Sequence, residues 1–131
     1  MYLIQDTQSN LEQEVIKIIS KKISELSKNQ EKVILAIPGG RSVSGIFKLL
    51  KNSSINWKKV HIFMIDERLV PINDEQSNFK LANEILLKYH PRENIHPYTS
   101  NHTIESYTRE LKSVNLHEAR PRGILRQIRT A

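Results

Sequence analysis

The stretch Val33-Ile34-Leu35-Ala36-Ile37-Pro38-Gly39-Gly40-Arg41-Ser42 joins five consecutive apolar residues to an abrupt polar turn. A short apolar run rich in β-branched residues suits a strand buried on both faces, which is the habit of parallel sheets. Pro38 and the two glycines end the run. Val43, Ile46, Phe47, Leu49 and Leu50 then recur at helical spacing, and Asn52-Ser53-Ser54 closes that helix. The order strand, polar loop, helix is repeated further on. Val60-His61-Ile62-Phe63-Met64-Ile65 is a second buried-strand candidate, and a polar loop runs from Asp66 to Gln76. Ser77 or Asn78 caps a helix with Phe79, Ala82, Ile85 and Leu86 facing inward.

Working outward, Ser9-Asn10-Leu11-Glu12 has the form of a capping box, and Leu11, Val15, Ile18, Ile19, Ile23 and Leu26 follow at helical spacing. This predicts a helix over residues 10–28, ended near Asn29. On the other side, His96-Pro97-Tyr98 reads as extended or turn-like, because the residue before proline avoids the helical region. A last helix starts near Thr103 and runs through Tyr107 and Leu111. Strands that alternate with helices, too far apart for hairpins, indicate an α/β domain: an open parallel sheet flanked by helices, Rossmann-like. Two strands are too few to bury both faces of such a sheet, so the domain is expected to be truncated.

Composition narrows the classes of function. The chain has 131 residues, enough for one domain, and no cysteine, which removes disulfides, thiolate catalysis and cysteine-based zinc sites. No apolar run reaches the length of a membrane span, and the N-terminus lacks the pattern of a signal peptide, so a cytoplasmic location is expected. The net charge is +6, half of it in residues 117–131, where Arg120, Arg122, Arg126 and Arg129 stand against Glu118 alone. No basic stripe interleaved with aromatics accompanies this charge, so nucleic acid is not the expected partner.

Two polar loops fall at the carboxyl ends of the strands, where open parallel sheets bind ligands. In the first, Gly39 and Gly40 let the backbone approach an anion closely, the following helix offers free N–H groups, Arg41 adds a fork of donors and Ser42 a hydroxyl. It is neither a Walker A loop nor a dinucleotide fingerprint, and on spacing alone it reads equally well as a plain turn. In the second, Asp66-Glu67-Arg68 can handle a proton or bind an anion, or simply form a solvated ion pair.

Taken together, AIPGGRSVSGIFKLL and IDERLVPINDEQSNFKLANEILL resemble the 6-phosphogluconolactonase family, in order and with suitable spacing. Asp66-Glu67-Arg68, Val70-Pro71 and Ser77-Asn78 carry the more specific part of the match. The resemblance spans residues 1–116, and residues 117–131 read as a divergent Arg-rich tail. It implies hydrolysis of 6-phosphogluconolactone to 6-phosphogluconate in the pentose phosphate pathway, a small sugar phosphate as the molecule bound, and no metal or organic cofactor. It implies that Gly39, Gly40, Arg41 and Ser42 line the phosphate pocket, that Arg68 adds charge there, and that Asp66 orients the sugar ring or the catalytic group. Glu67 would hold Arg68 or its loop, and Asn78 would cap its helix and brace the Asp66 loop.

Two departures bear on activity. Pro38 stands where the family usually has Ser, removing a hydroxyl and a backbone donor. The family's general base is a His in a later Gly-x-Gly-x-Asp-Gly-His loop, and no such motif occurs here. His61, His90, His96, His102 and His117 lack its context and are expected to be surface or satisfied histidines, so the chain is expected to be impaired as a catalyst. A frameshift, an early stop or a naturally divergent tail each accounts for the segment after Leu116. Two alternatives stay open. Glucosamine-6-phosphate deaminases share the fold and the Gly-Gly loop, but usually have Asp-Glu-Tyr at positions 66–68. A non-catalytic phosphosugar-binding fragment is the other.

Overall fold

A computed structural model describes residues 7–114. Three parallel strands, β1 (Val33–Ile37), β2 (Val60–Met64) and β3 (Ile95–His96), form one sheet in the order β1-β2-β3. Four helices accompany them: α1 (Gln8–Ser27), α2 (Ser44–Lys51), α3 (Asn78–Ile85) and α4 (Ile104–Val114). The α/β class with a parallel sheet is as the sequence predicts. The proposed boundary at residue 116 and the Arg-rich tail lie outside the described residues.

β1 and β2 pair in full register, from Val33 with Val60 to Ile37 with Met64. Alternation then divides their side chains between two faces. Val33, Ile37, Val60, Ile62 and Met64 point to the face covered by α1, α2 and α3, where Ile23, Phe47, Leu50, Ala82, Leu86 and Leu87 complete the main core. Phe63 points to the opposite face, where Tyr107 and Leu111 of α4 bury it and Ile34 packs alongside. All five residues of β2 are buried, His61 among them. Removing a side chain such as Ile62 or Phe63 from water contributes about 1.5–3 kcal/mol.

The third strand is absent from the sequence reading. β3 is only two residues long, pairs Ile62 with Ile95 and Phe63 with His96, and stops at Pro97, which has no N–H to donate. So short a strand has no periodicity to detect. The first helix also differs in its start. Thr7, not Ser9, is the N-cap, its Oγ1 accepting from the Asn10 N–H at 3.3 Å, so α1 begins two residues earlier than expected.

Candidate functional site

The first loop leaves β1 at Pro38, and Gly40 takes a φ of 101°, a conformation that residues with a β-carbon rarely adopt. The chain then makes a single 3-10 turn, Arg41–Val43, before α2 begins at Ser44. The expected direct passage from turn to helix is thus replaced by a tighter turn, whose first N–H groups have no partner within it. Val43 N–H closes the turn on the Gly40 carbonyl at 3.4 Å, and Ser44 Oγ donates to the Arg41 carbonyl at 2.8 Å. Arg41 and Ser42 are exposed.

The second loop is built around the buried carboxylate of Glu67. Its Oε1 accepts from the backbone N–H groups of Arg68 at 2.7 Å and Asn78 at 2.8 Å. Its Oε2 accepts from the Phe79 N–H at 2.9 Å and the Ser77 hydroxyl at 3.1 Å. Two of these donors are the first N–H groups of α3, where a helix has unsatisfied donors and its dipole favours a negative charge. Ser77 Oγ in turn accepts from the Lys80 N–H at 3.2 Å and is the helix cap. Of the two cap candidates, Ser77 therefore takes the role, and Asn78 is the first helical residue. Glu67 holds the backbone of Arg68 and not its guanidinium.

Asn78 faces both loops. Its Nδ2 donates to Asp66 Oδ1 at 3.3 Å and lies 3.4 Å from the Asp66 carbonyl oxygen. Its side chain also packs directly on Gly39, where an added β-carbon would meet Asn78 Cγ at 1.9 Å. A single residue thus fixes the separation of the glycine loop and the acidic loop. The glycine at position 39 is needed for this close approach, quite apart from any ligand.

Arg68 is exposed and lines a cleft of about 330 Å³ between Leu69, Val70 and Pro71 on one wall and Tyr98, Thr99 and Ser100 on the other. Among the described residues, neither Arg41 nor Arg68 makes an ion pair. Two unpaired guanidinium groups and a half-buried Asp66 are therefore carried on adjoining loops at the carboxyl edge of the sheet.

The described histidines all have protein partners. His96 Nδ1 lies 2.7 Å from Glu110 Oε1, and His102 Nε2 lies 3.0 Å from Glu110 Oε2. Thr99 N–H donates to His102 Nδ1 at 3.0 Å, so neutral His102 carries its proton on Nε2 and gives it to the carboxylate. His96 Nε2, on the far side of the same ring, lies 2.9 Å from His61 Nδ1. Burial first, then the neighbouring His96 and Lys32, lower the His61 pKa to about 4. His90 donates from Nδ1 to the Leu86 carbonyl at 2.7 Å, and burial lowers its pKa as well. None of these rings lies on the glycine or acidic loop, and His117 lies outside the described residues. Among the described residues no group of three or more acidic or histidine side chains is arranged to hold a metal ion, and no helix is long and apolar enough to cross a membrane.

Sequence reasoning singled out Glu67 and Asn78, but not Ser77 as the link between them, nor Tyr98, Thr99 and Ser100 as a cleft wall. A serine before an amphipathic helix signals a cap. Nothing local signals that its hydroxyl also donates to a carboxylate ten residues earlier.

The profile described as glucosamine-6-phosphate isomerases/6-phosphogluconolactonase matches residues 6–123. A 6-phosphogluconolactonase of Thermotoga maritima is 30% identical over 119 residues, covering 86% of this chain and 53% of that protein. Its crystal structure superposes with a TM-score of 0.73 over the same shares. A 6-phosphogluconolactonase structure from Shewanella baltica is 29% identical with a TM-score of 0.71, covering 89% of this chain and 51% of that one. A chloroplastic 6-phosphogluconolactonase of Arabidopsis thaliana is 31% identical over 91 residues, 67% of this chain and 28% of that protein. The chain spans about half the length of the Thermotoga and Shewanella relatives.

Proposed function

The chain belongs to the glucosamine-6-phosphate isomerase/6-phosphogluconolactonase family, and on that premise we propose that it carries the phosphosugar-binding part of a 6-phosphogluconolactonase site. Gly39, Gly40, Arg41 and Ser42 receive the phosphate, Arg68 adds a second cation, and Asp66 orients the sugar ring. The single observation that supports this most is the bridge made by Asn78, which packs on Gly39 and donates to Asp66. That bridge sets the spacing of two loops whose cations have no other partner among the described residues. Preset donors of this kind bind an anion without reorganising first.

The reaction in this reading is ester hydrolysis, attack of water on the lactone carbonyl with loss of a proton to a general base. Residues 1–116 are the family-like part in this proposal. No residue of the 131 stands in the Gly-x-Gly-x-Asp-Gly-His context that would supply the base. The 131-residue chain is therefore expected to bind 6-phosphogluconate and to hydrolyse the lactone no faster than it opens spontaneously. A cytoplasmic location goes with this reading, in keeping with a phosphorylated metabolite and a cysteine-free sequence. Arg68 and Val70-Pro71 favour the lactonase over the deaminase.

The test is a backbone-amide NMR titration with 6-phosphogluconate, run beside a lactone hydrolysis assay. Gly39, Gly40, Arg41 and Ser42 should shift first. Shifts confined to other residues would refute the site, and turnover at the rate of an ordinary enzyme would refute the assignment of a binding-only role. Retained binding without turnover is the expected result.

A further inference from the structure

Tyr107 is buried on α4, yet its hydroxyl belongs to the sheet. Its Oη accepts from the Met64 N–H at 2.8 Å and donates to the His96 carbonyl at 2.6 Å. These groups sit at the carboxyl ends of β2 and β3, just past the last paired residues, Phe63 and His96. Pro97 cannot continue the ladder because it has no N–H. A phenol oxygen is thus inserted where the two strands stop pairing. Its ring is held edge-on by Phe63 at 5.4 Å, Tyr98 at 5.2 Å and His102 at 5.3 Å, measured between ring centroids. Desolvation raises its pKa far above the ordinary tyrosine value, so the group stays a neutral phenol and keeps both hydrogen bonds.

We propose that Tyr107 is a positioning residue for Asp66: by fixing the Met64 N–H to the end of β3, its hydroxyl sets where the chain leaves β2 and hence where the Asp66 carboxylate stands. Met64 lies two residues before Asp66. Beyond Met64, the chain is held by the Ile65 N–H donating to the Ile37 carbonyl at 2.9 Å, and by Asn78 on Asp66. From the β3 side, the Tyr107 hydroxyl holds this segment by joining the Met64 N–H to the His96 carbonyl. Among the described residues the hydrogen bonds and ring contacts of Tyr107 go to Met64, His96, Phe63, Tyr98 and His102 and none to Gly39–Ser42, so phosphate capture does not depend on it directly. The inference rests on the reading of Asp66 as the residue that orients the sugar.

The experiment compares the full chain with Tyr107→Phe, which keeps the ring and loses the hydroxyl. Without ligand, the amides of Met64 to Glu67 should shift in the variant while those of Gly39–Ser42 stay in place. Changes confined to α4 would overturn the proposal, whatever the chain binds. With ligand, the variant should bind 6-phosphogluconate about tenfold more weakly, roughly the net effect of one or two hydrogen bonds, and inorganic phosphate equally well. A purely structural role would weaken both ligands together, and equal loss would overturn the proposal. Failure of the unaltered chain to bind 6-phosphogluconate would instead refute the proposed function and leave the ligand-free comparison to decide on Tyr107. Should the variant not fold, hydrogen exchange at the Met64 amide of the unaltered chain decides. Saturating 6-phosphogluconate should slow it relative to saturating inorganic phosphate, and equal exchange would overturn the proposal.

Discussion

The backbone of Gly39 lies directly against the side chain of Asn78, with space for a hydrogen but not for a methyl group. Asn78 cannot retreat. Its N–H is bound by Glu67 and its side chain by Asp66, so the contact transmits the position of α3 to the glycine loop.

Gly39→Ala should therefore destabilise the fold by about 1–3 kcal/mol, the usual range for forced overpacking. The new β-carbon would also stand 2.3 Å from Asn78 Cβ. Adding Asn78→Gly should relieve much of the clash, whereas Asn78→Ala should relieve only part. Urea midpoints of the single and double variants measure the coupling.

Glu67→Gln should cost about 2–4 kcal/mol. The carboxylate accepts four hydrogen bonds while buried, and an amide presents a donor to some of those donors. Thermal unfolding gives the magnitude, and faster exchange at the Arg68 and Phe79 amides would locate the damage.

Arg68→Ala should weaken 6-phosphogluconate binding by about 1–3 kcal/mol, as expected for a charge-assisted hydrogen bond. Stability should change by less than about 0.5 kcal/mol, because the side chain is exposed and has no ion pair among the described residues. Calorimetric titration and a melting curve on one sample test both halves. Unchanged affinity in the folded variant would remove Arg68 from the site.

Stability should fall as pH drops from about 6.5 towards 4. Burial, His96 and Lys32 hold the folded pKa of His61 near 4, with Glu93 opposing them. The unfolded chain, with an ordinary histidine, takes up this proton first as the solution is acidified. Unfolding is then favoured by roughly 3 kcal/mol at the lower end of the window, and the loss from this group levels off once the pH is well below its folded pKa. His90, whose pKa is also lowered, adds to the same trend. Denaturation midpoints at a series of pH values should show the slope, and His61→Phe should make it shallower.

The residues most legible in sequence were those with a local pattern. The run Val33–Ile37 reads as a buried strand because both of its faces are apolar, and the run from Val60 reads the same way. The glycine turn and Asp66-Glu67-Arg68 are legible because strand ends in a parallel sheet bring such loops to one edge. β3 was not legible, since two residues before a proline carry no period. The 3-10 turn at Arg41–Val43 was hidden for a similar reason, being decided by one backbone angle at Gly40.

By itself, then, the amino-acid sequence determined the order of the four helices and the first two strands, the parallel sheet and the two loops at its edge, because these follow from side-chain periodicity and from the dihedral freedom of glycine. Tertiary structure alone decided which groups touch. Glu67 reaches residues 77–79, Asn78 reaches Gly39, and the Tyr107 hydroxyl reaches Met64 and His96 from 43 and 11 residues away. Such contacts join residues distant in the chain, and they form because a buried polar group must find a partner wherever the folded backbone presents one.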